Sequence, residues 1–304
     1  MANLPLAQRA VRKVGVVGLG LVGTALVARL AAAGHAVIGW DLRDEARTAS
    51  NGETASSLAS LGARAECVLL AVFDTAGVLQ VVEGQDGVLA PGSRVRTVID
   101  CSTGDPQLLE LLAARLHARN VDFLEAPLSG SSAQIAAGEA TMLVGGDAAV
   151  LARERPLLQA LAARVIHTGG AGMGARAKLA TNLVLGLNRA VLAEGMAFAQ
   201  RQGIAPDVFL QLVLATPAAS DAARVKGPLM AAGDFAPRSR VRQHLKDVEL
   251  MLADARAGGL ELPLTQVHAA LLLEAVAAGD GDLDNAAILR RFLNRPAAAG
   301  DQDA

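Results

Sequence analysis

Gly18, Gly20 and Gly23 follow the apolar run VGVV at 14–17 and open an Ala-rich helical stretch. Asp41 closes the next apolar run, 23 residues after Gly18. Glycines at this G-x-G-x-x-G spacing have separable uses. The first permits a tight turn, the second lets backbone approach a pyrophosphate, and the third lets helix and strand pack closely, while the helix N-terminus offers N–H groups to phosphate. An acid at position 41 would take both hydroxyls of an adenosine ribose and repel a 2′-phosphate. Gly18, Leu19, Gly20, Leu21, Val22, Gly23 and Asp41 therefore read as a dinucleotide site that favours NAD over NADP. Arg43 blurs that preference, so NADP stays open. Lysine is scarce: Lys13, Lys178, Lys226 and Lys246 stand beside 24 arginines. An ammonium can release its proton when its pKa falls, whereas a guanidinium in effect cannot, so a lysine retained in an arginine-rich chain is a candidate for proton transfer. Hydride removal from an alcohol needs such a group to take the hydroxyl proton, and the reverse reaction needs it returned. Lys178 is the candidate; a helix-surface lysine is the plainer reading of the same letter.

These residues need a scaffold. Short runs rich in Val, Ile and Leu, at 14–17, 36–40, 67–72 and 97–101, alternate with helical stretches such as 25–33 and 108–119; further strand-like runs lie at 122–124, 142–144 and 164–167. The alternation predicts a parallel sheet covered by helices, an α/β fold. From about Gly174 the strand signal stops. One long helix is expected over 175–200, then helices near 207–214, 245–257, 264–277 and 285–292, separated by Gly, Pro and Asp punctuation. The boundary is placed near Gly170, giving domains 1–170 and 171–304, and the tail PAAAGDQDA at 296–304 reads as loose.

Composition narrows the partners. Hydrophobic residues make up 52 % and charged residues 19 % of 304 positions, which fits a globular chain. A net charge of −2 provides no broad field for a polyanion or an anionic membrane, so nucleic acid and membrane are not expected as partners. Cys67 and Cys101, both in runs that read as buried strands, suggest neither a disulfide framework nor a metal cluster. The opening MANLPLAQRAVRK lacks a long apolar core, and a soluble cytoplasmic protein is expected.

The sequence resembles the β-hydroxyacid dehydrogenase family, which includes 3-hydroxyisobutyrate dehydrogenase and tartronate semialdehyde reductase, over about 13–293. Five blocks fall in the family's order: VGVVGLGLVGTALVARLAAAGHAVIGWD at the cofactor, DCSTGDP at 100–106, EAPLSGSSAQIAAGEATMLVGG at 125–146, GAGMGARAKLATN at 170–182, and LKD at 245–247. GDGDLDNAAI near the end is similar to the family's closing helix. The resemblance implies an N-terminal Rossmann domain followed by an all-helical C-terminal domain, with the active site in the cleft between them.

It also implies roles. Lys178 would be the catalytic acid/base, with Asn182 one turn later contacting substrate or holding the lysine. Ser129, Gly130 and Ser131 would grip a substrate carboxylate with backbone N–H groups and a hydroxyl; a plain turn is the other reading. Ser131 stands where the family has Gly, and Gln134 where it usually has Gly, which would narrow the pocket or add hydrogen bonds. Thr103 would meet the nicotinamide end of the cofactor, or cap the helix before Pro106, or both. Val72 and Phe73 stand beside the cofactor where Leu-Pro is common. Lys246 would reach cofactor or substrate, with Asp247 orienting it; a surface pair is the alternative.

Arg238, Arg240 and Arg242 read either as grips for an extra substrate anion or as a solvated charged face. Glu125 and Asp100 end strands at the sheet's carboxyl edge, as ligand or structural hydrogen-bonding groups alike. The five histidines show no metal-ligand spacing, and no metal is assigned. The expected activity is interconversion of a small β-hydroxyacid and its semialdehyde or keto form with NAD, by a homodimer or homotetramer. The alternatives are an imine reductase-like NAD(P)H enzyme and a catalytically silent dinucleotide-binding protein.

Overall fold

Runs of Val, Ile and Leu bounded by Gly and Asp extend because branched side chains fit a pleated surface buried on both faces. The strands are β1 (Lys13–Val17), β2 (Ala36–Trp40), β3 (Glu53–Thr54), β4 (Cys67–Leu70), β5 (Thr97–Asp100), β6 (Asp122–Glu125), β7 (Leu128–Ser129), β8 (Thr141–Gly146) and β9 (Arg164–Gly169). The computed structural model describes residues 12–50 and 52–293. The opening residues before 12 and the tail at 296–304, which sequence reading made loose, lie outside the described residues. The chain divides into two compact units, Met1–Lys178 and Leu179–Ala304, and the helix Met173–Arg201 runs through that division.

The nine strands among the described residues belong to the first unit. β3-β2-β1-β4-β5-β6 pair in parallel in that order, β8 runs antiparallel to β6 and β7, and β9 is parallel to β8. Strand order reverses between β1 and β4, so the crevice outside their carboxyl ends is the switch point at which such sheets bind ligands. Side-chain alternation builds two apolar layers. Val14, Val16, Cys67 and Leu69 pack with Leu26 and Leu30, while Val17, Val68 and Leu70 pack with Leu61, Val78, Leu109 and Leu112. Each fully buried Leu contributes roughly 2 kcal/mol. β3 and β7 are absent from the sequence reading because two residues are too few to show a period.

The second unit is helical: Pro206–Leu214, Asp221–Ala232, Val241–Ala257 and Pro263–Ala277 follow the long helix. Val241, Val248, Met251, Leu272 and Ile288 lie in its core. The helix expected over 285–292 is instead a 3-10 turn, Asn285–Ile288, followed by the short helix Leu289–Leu293. Asp284 precedes that turn: buried, it accepts the Ala286 N–H at 3.0 Å and binds Lys226 Nζ through both oxygens at 2.8 Å. Arg189 is also buried there. His244 and His268 meet edge to face, with Nε2···Nε2 at 3.1 Å. Among the described residues no helix is long and apolar enough to cross a membrane.

Candidate active site

The glycine loop divides its labour as the sequence requires. Gly18 has φ +91°, and a Cβ there would sit 2.3 Å from the Ala71 carbonyl oxygen. A Cβ on Gly23 would lie 1.7 Å from the Gly18 oxygen, so that glycine is required by close packing of turn and helix. At Gly20 a Cβ would meet nothing within 4 Å. Gly20 also begins the helix Leu21–Ala32 with no side-chain cap, which leaves the first-turn N–H groups to an outside acceptor. An open approach at the second glycine beside uncapped helix N–H groups fits a pyrophosphate. Gly20, Leu21 and Val22 present this backbone, whereas the Leu19 N–H is taken by Asp41.

Asp41 follows β2 and is 6 % exposed. Its Oδ2 accepts the Leu19 N–H at 2.7 Å, tying the acid to the glycine loop; its Oδ1 accepts the Arg43 N–H at 2.9 Å, and the Arg43 guanidinium reaches both oxygens at 3.1 and 3.2 Å. Burial pushes the Asp41 carboxyl up, but the Arg43 and Leu19 hydrogen bonds together prevail and hold it below its usual value. The acid is ionised and the arginine is folded onto it.

Along the same carboxyl edge, Ser102 Oγ accepts the Val72 N–H at 3.1 Å while the Ser102 N–H donates to Asp100 Oδ1 at 2.9 Å. Asp100 thereby braces the 100–103 turn against the segment carrying Val72 and the half-exposed Phe73. The capping reading of Thr103 is corrected: Asp105 caps the helix Pro106–Ala118, accepting from Gln107 and Leu108 at 2.8 and 3.1 Å. Asp105 sits directly before Pro106, the geometry an N-cap needs.

Lys178 is 8 % exposed and donates from Nζ to the Leu128 carbonyl oxygen at 2.6 Å. The ammonium is thus anchored at the residue that leads into Ser129, Gly130 and Ser131. Two hydrogen-bonded arrangements flank this contact. Glu125, at the end of β6, accepts the N–H groups of Gly172 and Ala175, one turn before the lysine, so the acid that sequence left open is spent on the N-terminus of the lysine's helix. Burial, with Asp100 alongside, outweighs those bonds and keeps the Glu125 carboxyl above its usual value. Ser131 and Gln134 form a reciprocal capping box on the helix Ser132–Ala137. The S-x-x-Q spacing carries that signal in sequence; of the two expectations for Gln134, a narrower pocket or added hydrogen bonds, the structure shows a hydrogen bond to the loop.

In the helical unit, Asn182 Nδ2 donates to Asp247 Oδ2 at 3.1 Å, and Lys246 Nζ lies 3.1 Å from Asp247 Oδ1. Asp247 is buried and joins two predicted residues that sequence did not connect to each other. Lys178 and Asn182 stand one turn apart on one unbroken helix. Arg238 pairs with Asp234 at 2.7 Å and Arg242 with Asp282 at 3.2 Å, both half-exposed, which is the geometry of a solvated charged face.

The NAD binding domain of 6-phosphogluconate dehydrogenase matches residues 13–169, and the NAD-binding domain of NADP-dependent 3-hydroxyisobutyrate dehydrogenase matches residues 172–292. L-threonate dehydrogenase of Cupriavidus necator is 33 % identical over 92 % of this chain and 96 % of its own length. 2-Hydroxy-3-oxopropionate reductase of Escherichia coli is 30 % identical over 91 % and 96 %. The crystal structure of 3-hydroxyisobutyrate dehydrogenase from Salmonella typhimurium superposes with a TM-score of 0.82 at 31 % identity, covering 92 % of this chain and 99 % of that one. Domain descriptions, full-length relatives and fold together establish that the chain belongs to the β-hydroxyacid dehydrogenase family, the NAD(P)-dependent oxidoreductases that include 3-hydroxyisobutyrate dehydrogenase.

Proposed function

We propose that the chain interconverts a small β-hydroxyacid and its semialdehyde or keto form, with Lys178 exchanging the proton of the reacting hydroxyl. The observation that carries this reading is the buried Lys178 ammonium held 2.6 Å from the Leu128 carbonyl, at the mouth of the 129–131 loop. A lysine so placed can take a hydroxyl proton when deprotonated and return it when charged, which arginine could not. NAD, when bound, supplies the hydride acceptor. Backbone N–H groups and a hydroxyl of the loop Ser129, Gly130 and Ser131 grip the substrate carboxylate, fixing which hydroxyl faces the lysine. Asn182 supports substrate or lysine from the next turn, and Asp247 orients Lys246 toward the ligands. Gly18 to Gly23 hold the pyrophosphate, Asp41 the adenosine ribose, and Val72, Phe73 and Thr103 the remaining length of the cofactor.

Asp41 supports NAD over NADP: its ionised carboxylate opposes a 2′-phosphate, and Arg43 is engaged with it. Relatives named for L-threonate and 2-hydroxy-3-oxopropionate support a small hydroxylated carboxylate as substrate class. The test is a spectrophotometric panel with NAD and NADP against 3-hydroxyisobutyrate, glycerate, L-threonate, serine and 4-hydroxybutyrate. Turnover of at least one acid is expected; none with any, alongside reduction of a cyclic imine by NAD(P)H, overturns the reading in favour of imine reduction.

A further inference from the structure

Ser131 begins the helix Ser132–Ala137 in a reciprocal arrangement. Its Oγ accepts the Gln134 N–H at 3.3 Å, and Gln134 Oε1 accepts the Ser131 N–H at 2.8 Å. The N–H of the last loop residue is therefore committed to a side chain three positions on. Gly130 comes just before, at φ +152°, and a Cβ there would lie 3.2 Å from Ala140 Cβ and 3.4 Å from Gln134 Cβ. Gln134 thus both packs against the loop and occupies one of its donors, beside the carbonyl that anchors Lys178.

We propose that Gln134 sets how tightly this loop holds a carboxylate, because its carboxamide oxygen competes with the ligand for the Ser131 N–H. The inference rests on reading the 129–131 loop as a carboxylate grip. An entering carboxylate has two courses. It leaves the N–H with Gln134 and uses the Ser129 and Ser131 hydroxyls and the Gly130 N–H, one donor short; or it displaces the carboxamide and breaks half of the capping box. Either course weakens binding relative to a loop whose residue 134 has no acceptor. An ionised oxygen is a stronger acceptor than an amide oxygen, so Gln134 tunes the site rather than blocking it. It is a positioning residue, acting through Ser131.

The experiment titrates the full chain, with NAD present, with propionate, a carboxylate that has no hydroxyl to oxidise, and follows the amide resonances of Gly130 and Ser131. Gln134→Ala is expected to bind propionate about tenfold more tightly, since a donor becomes available to a charged acceptor. Gln134→Glu is expected to bind it more weakly than the unmodified chain, because a fixed negative charge then sits on the same N–H. Should the alanine variant fail to fold, Gln134→Met keeps side-chain volume without an oxygen and carries the same expectation. A merely structural role for Gln134 predicts loss, not gain, in the alanine and methionine variants; equal or weaker propionate binding there overturns the proposal. Propionamide separates this from failure of the underlying reading. If the unmodified chain binds propionamide as well as propionate, or propionate moves neither the Gly130 nor the Ser131 amide, the loop is not a carboxylate grip and both statements fall.

Discussion

His268 ties the stability of the helical unit to pH. The ring is 2 % exposed, shares its Nε2 with Nε2 of His244 on the helix Val241–Ala257, and has no hydrogen-bond partner at Nδ1 among the described residues. Burial first, and the charge of buried Arg189 second, push its pKa down from 6.5 to about 4. The folded protein keeps the ring neutral where the unfolded chain protonates it, so between these values the unfolded state binds the extra proton. The contribution of the neutral ring is complete above pH 6.5 and is lost as pH falls toward 4. At about 1.4 kcal/mol per pH unit, it amounts to about 2 kcal/mol by pH 5 and about 3 kcal/mol by pH 4. His268→Gln keeps a hydrogen-bonding partner for His244 but does not titrate. Urea unfolding of both proteins, followed by circular dichroism because the single tryptophan, Trp40, lies in the other unit, measures the difference at each pH. The natural protein's advantage over the variant should shrink by the amounts given as pH falls from 7. A gap that stays constant over that window, or a His268 ring that titrates near 6.5 by NMR in the folded protein, would refute the reasoning.

Lys178→Ala should lower turnover by roughly 10²–10⁴ from loss of acid/base catalysis while sparing NAD affinity, and Lys178→Arg should be nearly as damaging; an arginine variant with normal kcat would leave the lysine only an electrostatic anchor. Asp41→Ala should weaken NAD and narrow its advantage over NADP, read by titrating both cofactors; equal or better NADP affinity in the unmodified chain would mean that Arg43 overrides the acid. Gly20→Ala should fold with unchanged Tm yet bind NAD less tightly, whereas Gly23→Ala, whose Cβ meets the Gly18 oxygen, should lose both Tm and cofactor; equal Tm losses in the two variants would contradict the division of roles in the loop. Light scattering at micromolar concentration should give a dimer or tetramer of the 31.0 kDa chain, in keeping with the exposed Leu264, Val267 and Leu273 on the helix Pro263–Ala277; a monomer mass counts against it.

Features that depend on near neighbours in the chain are legible in the order of residues. Glycines at 18, 20 and 23, with the acid at 41, follow from what one turn between a strand and a helix requires, and alternation of apolar runs with helical stretches is a local period that burial imposes on any such sheet. The Ser131–Gln134 capping box was equally local, spelled by a spacing of three. Tertiary structure alone decided the pairings that span long stretches of chain: Glu125 on the N–H groups of Gly172 and Ala175, Lys178 on Leu128, Asn182 on Asp247, Lys226 on Asp284 and His244 on His268. No periodicity encodes these meetings. A buried polar group must find a partner or bear the loss of its water, and which partner lies in reach is set by how the elements pack, so Glu125 could be read as ligand or brace until the start of the lysine's helix was seen resting on it.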